Sequence, residues 1–155
     1  MAEEVKKYND EQAKEKLEAI EKKLADERKE WKEKIHSLIK MIKGTSTIAE
    51  AQVLMLSYRQ IFVEKITELR ALHMKKNKSI DTFYRDQYRE YTLNYDIKLS
   101  PAEKNQFIKA DLGNLRMQAD LLENQISFYQ ESVKTMDTMS FSINNRIKLA
   151  EAQLD

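Results

Sequence analysis

Residues 100–154 read SPAEKNQFIKADLGNLRMQADLLENQISFYQESVKTMDTMSFSINNRIKLAEAQL. The stretch opens with Ser100 as an N-cap acceptor, Pro101 at the first helical position and Glu103 at the third, which together mark a helix start. From there Ile108, Leu112, Leu115, Ala119, Leu122, Ile126, Tyr129, Val133, Met136, Ser140, Ile143, Ile147 and Ala150 follow one another at steps of four and three. That is the seam of a coiled coil, with Ala119 and Ser140 as its soft positions. The pattern predicts one helix over 101–154, about 80 Å long at 1.5 Å per residue. Gly113 lies inside it at a cost of about 1 kcal/mol relative to Ala. So long a seam needs covering by other helices of the chain, by other copies, or by both. The expected fold class is all-α: an elongated helical protomer with a long coiled-coil-like C-terminal helix, in an oligomeric helical bundle. Leu112, Leu115, Leu122, Ile126, Tyr129, Val133, Met136 and Ile143 are the expected oligomerisation residues.

Upstream, two further helices are legible. In residues 1–43 apolar side chains recur at Leu17, Ile20, Leu24, Trp31, Ile35, Leu38 and Ile42, with one doubled step between Leu24 and Trp31. The remaining faces carry opposite charges four apart, such as Glu18 with Lys22, each pair adding about 0.2–0.5 kcal/mol. Lys40 and Lys43 before Gly44 read as a helix end. Thr47 and Glu50 then have capping-box spacing. A second apolar face runs Ile48, Ala51, Met55, Tyr58, Phe62, Ile66, Leu69 and Leu72. The sequence leaves open whether this helix breaks near Asn77-Lys78-Ser79. A short helix from about Asp81 to Tyr91, followed by a loop, is the expectation for the segment beyond. The organisation is therefore a charged N-terminal helix, 1–43, and a helical core, 44–155. The core holds a candidate binding region at 65–95 and the oligomerising helix at 101–154.

Composition narrows the function classes. The chain has 155 residues, with 27 Lys+Arg against 26 Asp+Glu, 2 Gly, 1 Pro and no Cys. Scarce turn formers argue against a many-stranded β fold. The absence of Cys removes disulfides, thiolate metal sites and a Cys nucleophile. No apolar run reaches the roughly 18–20 residues of a membrane span, and the first residues lack a signal-peptide core. A cytoplasmic protein is expected, in the host cell cytoplasm if the gene is carried by a phage.

Catalytic signals are sparse. Glu33 and His36 have Glu-x-x-His spacing, but a carboxylate metal bundle needs two such motifs, and Arg70 stands at the matching place before His73. Gly44-Thr45-Ser46 lacks the glycines and lysine of a phosphate loop. With only two His, no Ser-His-acid set is arguable. No catalytic residue, metal or cofactor is expected, and the chain is read as a non-enzyme.

The middle of the chain differs. Residues 65–78 hold Lys65, Arg70, Lys75, Lys76 and Lys78 against the single acid Glu68. Phe83, Tyr84, Tyr88, Tyr91 and Tyr95 follow, interleaved with Arg85 and Arg89. Cations that track phosphates and rings that stack on bases are the two parts of a sequence-tolerant single-strand binder. The same tyrosine spacing also suits a core or subunit interface with hydroxyls at a wet edge, and both readings stand. The expected DNA-binding residues are Lys75, Lys76, Lys78, Arg70, Arg85, Arg89, Tyr84 and Tyr88.

This arrangement resembles the UvsY-type recombination mediator proteins of T-even-like bacteriophages. The resemblance begins at Leu69-Arg70 and runs through Lys75-Lys76, Lys78 and Phe83-Tyr84. It continues through Glu103, Ile108, Ala110-Asp111, Leu115, Leu121 and Ile126, covering roughly residues 53–150. It implies binding to single-stranded DNA without base specificity, and a ring-like homo-oligomer of the hexamer or heptamer class. It also implies a part in DNA recombination and repair: helping to load a recombinase onto DNA covered by a single-strand-binding protein. The family's basic cluster before the aromatic pair falls here on Lys75, Lys76 and Lys78. One departure is Ile80, where the family carries a basic residue; Arg85 or Arg70 would compensate. The rival expectations are a structural or adaptor coiled coil without DNA affinity and an amphipathic protein acting at membranes. Near-balanced Lys and Glu around Trp31 disfavour the second.

Overall fold

The computed structural model describes residues 2–154, with side chains from Asp10 onward. Four helices follow in order: α1 (Ala2–Met41), α2 (Ile48–Leu93), α3 (Pro101–Asp111) and α4 (Gly113–Leu154). No strand occurs among the described residues. No helix among them is long and apolar enough to cross a membrane.

The chain forms two compact units, and they do not divide it at Gly44. One joins the chain up to Leu24 with Arg70–Glu123; the other joins Ala25–Leu69 with the chain from Asn124. The partition therefore differs from the 1–43 and 44–155 division of the sequence, because long helices packed side by side make contacts across the chain rather than along it. In the second unit α1 and α2 form an antiparallel hairpin through Gly44, and α4 packs against both. Its core holds Trp31, Leu38, Ala51, Met55, Phe62, Ile66, Ile126, Tyr129, Met136, Met139 and Ile143. In the first unit Leu17, Leu24, Ile108, Leu112, Ala119 and Leu122 are buried.

The turn between α1 and α2 is built differently from its sequence signature. Thr47 was the expected cap of α2, but its hydroxyl donates backwards, to the Met41 carbonyl, and lies 3.2 Å from the Gly44 carbonyl. It thus satisfies orphan acceptors at the end of α1. Gly44 has no positive φ. A Cβ there would stand 3.0 Å from the Thr47 hydroxyl oxygen, so glycine serves this close approach. Arg146 reinforces the same helix end, donating to the Ile42 carbonyl at 2.6 Å.

Two boundaries differ from expectation. Helix α2 runs unbroken through Asn77 to Leu93, where the sequence suggested a separate helix from about Asp81 to Tyr91. Its inward positions there include His73, Lys76 and Gln87, all half-buried. Polar residues on the inner face hid the helical period. The expected single helix over 101–154 is in fact α3 and α4, interrupted at Leu112. The start of α3 matches its signature: the Ser100 hydroxyl accepts from the Glu103 amide at 3.2 Å, and the Glu103 carboxylate accepts from the Ser100 amide at 3.0 Å.

The interruption is slight. The Leu112 amide still reaches the Ile108 carbonyl at 2.9 Å, and the Arg116 amide reaches the Leu112 carbonyl at 3.0 Å. Glycine at 113 weakens the helix here because it gives up more backbone freedom than any other residue. A Cβ at Gly113 meets nothing within 4 Å. Gly113→Ala is therefore expected to stabilise the chain by about 0.4–1 kcal/mol, raising the melting temperature by about 1–4 °C. A melting temperature at or below the parent's in a calorimetric scan would contradict this.

The seam of the last helix is covered within the chain. Leu112, Leu122, Ile126, Tyr129, Met136 and Ile143 are each at most 9% exposed, and Leu115 and Val133 are half-buried. Six of the eight residues expected to meet other copies are thus buried inside the protomer, and Leu115 and Val133 are partly open. Past Met136 the buried stripe shifts to Met139, leaving Ser140 exposed. A straight α-helix drifts away from a strict seven-residue repeat, so the inward face moves along it. Ile147, Leu149 and Leu154 are exposed.

One feature of this core carried no signal as a motif. The Tyr129 hydroxyl donates to the Glu27 carboxylate, and Lys65 Nζ lies 2.7 Å from the same carboxylate. Beside them Arg28 donates to Gln125 Oε1 at 2.7 Å. Gln125 is fully buried, and its Nε2 has no hydrogen-bond partner among the described residues.

Candidate nucleic-acid interface

The continuity of α2 regroups the basic residues. Lys75, Lys78, Thr82, Arg85 and Arg89 are spaced three, four, three and four, and all five are exposed. Residues at these steps share one helix face, so they form a stripe about 21 Å long at 1.5 Å per residue. No ion pair among the described residues involves its four cations.

Other cations of the sequence cluster fall elsewhere. Lys65 pairs with Glu27 in the second unit. Lys76 is half-buried and donates to Gln118 Oε1 at 2.6 Å. Its neighbours in the expected triplet, Lys75 and Lys78, instead line a shallow groove with Ser79, Thr82, Phe83, Asp86 and Leu115. Arg70 is exposed but outside the stripe, since its position does not share the 75-78-82-85-89 steps.

The tyrosines also divide. Tyr91 donates to the Asp111 carboxylate at 2.5 Å and packs with Tyr95 and Phe107, at ring-centroid distances of 5.5 and 5.7 Å. This aromatic cluster ties the end of α2 to α3 and is structural. Tyr84 and Tyr88 lie nearly parallel, 26° between planes and 6.2 Å between centroids. They line a second groove with Arg85, Arg89, Thr92, Leu93 and Asn105. The Tyr84 hydroxyl donates to Asn105 Oδ1 at 2.6 Å, and Lys104 Nζ sits 5.1 Å from the Tyr88 ring centroid. The tyrosine stripe thus divides, with two rings in a groove and two in a packed cluster.

The Tyr91 phenol is pushed up to about 12 from its usual 10.0, chiefly by burial and then by the Asp111 carboxylate that accepts its hydrogen bond. The Tyr129 phenol is also raised, first by burial and then by Glu27. The folded chain holds protons that the unfolded chain releases above pH 10. This contribution is complete below the unfolded value and is lost as pH rises through the folded one. Stability is expected to fall between about pH 10 and 12, and Tyr91→Phe to fall less steeply over that range. Parallel alkaline slopes for parent and variant in urea titrations would refute the assignment.

The remaining sequence candidates form no site. Glu33 and His36 join no group of three or more His, Asp or Glu suited to a metal ion among the described residues. His36 lines an open groove with Lys32, Ile35, Ile39, Phe128, Glu131, Ser132 and Thr135.

Fold and site together define an all-α protein that presents an exposed cation stripe beside a tyrosine-lined groove. No known protein family, curated protein or solved structure matches this chain.

Proposed function

We propose that the chain binds single-stranded DNA without base-sequence recognition and serves as a recombination and repair mediator, helping to load a recombinase onto the strand. The observation that carries the binding is the stripe Lys75, Lys78, Arg85 and Arg89, which makes no ion pair among the described residues and is bordered by Tyr84 and Tyr88. Cations on one exposed face offer phosphates successive contacts, and the adjoining rings offer a π-face to any base. The groups are those of a binding surface rather than of a catalytic centre, so the protein acts without turning over a substrate. Its partners in this reading are the recombinase, the single-strand-binding protein and further copies of the chain. A homo-oligomer would repeat the stripe by symmetry and raise avidity without new contacts. Most of the α4 seam is buried inside the protomer, so such an assembly would draw on the parts left open, Ile147 among them, or on other surfaces.

The test is anisotropy of a fluorescent oligonucleotide titrated across a salt series, with light scattering on the same samples. The proposal expects tight binding at low salt that weakens steeply as salt rises, because bound cations displace condensed counterions. A folded protein with no affinity at low salt would instead support a structural or adaptor role.

A further inference from the structure

The groove between α2 and α3 has a donor-rich lining. Tyr84, Arg85, Tyr88, Arg89, Thr92, Leu93 and Asn105 form it, and none of them is acidic. Asp86, beside Arg85 in sequence, lines the neighbouring groove with Lys75 and Lys78, and three other nearby carboxylates are hydrogen-bonded. Glu90 accepts from Asn94 at 2.9 Å, Glu103 from the Ser100 amide at 3.0 Å, and Asp111 from Tyr91 at 2.5 Å.

The hydrogen-bond inventory inside the groove is equally one-sided. The Asn105 Oδ1 takes the Tyr84 proton, which leaves the Asn105 NH2 as the unused half of that amide. The Thr92 hydroxyl commits its proton to the Tyr88 carbonyl at 2.7 Å. Arg85 and Arg89 make no ion pair among the described residues, and a guanidinium only donates. Two near-parallel rings provide the stacking floor.

We infer that this groove holds a nucleotide whose base offers the Asn105 amide an acceptor, such as the carbonyl oxygens of thymine. The base stacks on the Tyr84–Tyr88 pair, a base carbonyl accepts from the Asn105 amide, and the adjoining phosphates meet Arg85 and Arg89. Adenine has no carbonyl, and only its ring nitrogens could accept from the amide. This rests on the single-strand reading above, and it adds a hydrogen bond to a base to a surface otherwise tolerant of sequence.

Comparing homopolymers directly would mix this effect with the self-stacking of adenine runs. The discriminating pair is oligothymidylate and the same strand with alternate thymines replaced by difluorotoluene, which keeps the ring's shape but is a poor acceptor. The parent is expected to bind the substituted strand about 2–10-fold more weakly, the effect of one lost hydrogen bond. Asn105 is exposed, so Asn105→Leu keeps the fold, checked by its melting curve, and is expected to bind both strands alike. Equal binding of the two strands by the parent, or an unchanged ratio in Asn105→Leu, overturns the base contact while leaving the strand-binding proposal standing. Failure of the parent to bind either strand overturns the strand-binding reading itself.

Discussion

Replacing Lys75, Lys78, Arg85 and Arg89 together by alanine is expected to lower affinity for single-stranded DNA about 600-fold at about 0.1 M monovalent salt. The figure follows from counterion release. Each phosphate neutralised on a single strand contributes about 0.7 to the slope of log K against log salt, so four contacts contribute about 2.8. At a tenth molar that slope corresponds to nearly three decades. The slope itself is the sharper readout, because it falls by about 2.8 only if all four cations touch phosphate. The substituted positions are exposed on α2, so circular dichroism should show the parent's helicity. Lys76→Ala supplies the contrast: that ammonium is held against Gln118 inside the fold, and its loss should leave the salt slope unchanged. If the fourfold variant keeps the parent's slope, the stripe is not the DNA surface. If Lys76→Ala matches the fourfold variant, the contact residues are the contiguous lysines rather than the helical face.

That contrast shows what could and could not be read from the amino-acid order. The helices and their starts were legible where local chemistry decides them, as at Ser100-Pro101-Ala102-Glu103, where cap, proline and capping box all form. The basic cluster was visible as a contiguous run, 65–78, and its true arrangement was not. The stripe steps 75-78-82-85-89 are countable in the sequence, but they make one face only if α2 passes through Asn77 unbroken. Half-buried Lys76, hydrogen-bonded to Gln118, occupies a position where periodicity calls for an apolar residue. Tertiary hydrogen bonding carried the helix across a stretch that local preference left undecided.

The polar group in the core left a different trace. The apolar face of α1 skips a step between Leu24 and Trp31. Glu27 and Arg28 stand in that gap, and both make hydrogen bonds to α4. A missing apolar residue in an otherwise regular stripe was therefore the signal of an internal partner. Sequence alone could not say what the partner was, because Tyr129 is 102 residues away and lies on a seam that reads as mostly apolar. The same seam suggested subunit contacts. The choice between covering it by other copies and covering it by α1 and α2 depends on how the helices cross, which no local signal reports.

The largest stability effect is expected at Phe62. Its ring is fully buried where α1, α2 and α4 converge. It meets Trp31 edge-on at 4.7 Å between centroids, 74° between planes, and Tyr129 at 5.1 Å and 37°. Phe62→Ala removes the transfer free energy of the ring and leaves a cavity that three stiff helices cannot close, costing about 3–5 kcal/mol. Two aromatic pairs are lost with it, each worth about 0.5–1.5 kcal/mol beyond area, though that part overlaps the cavity cost. Phe62→Leu fills much of the same space and should cost clearly less. The order of unfolding midpoints in urea is expected to be parent, Phe62→Leu, Phe62→Ala, with similar slopes, since the surface exposed on unfolding barely changes. The exposed Leu56 is 72% accessible one and a half turns away, and Leu56→Ala should move the midpoint little, as surface substitutions usually stay within about 0.5 kcal/mol. A Phe62→Ala midpoint as high as that of Leu56→Ala would mean that the ring is not at the junction of the three helices.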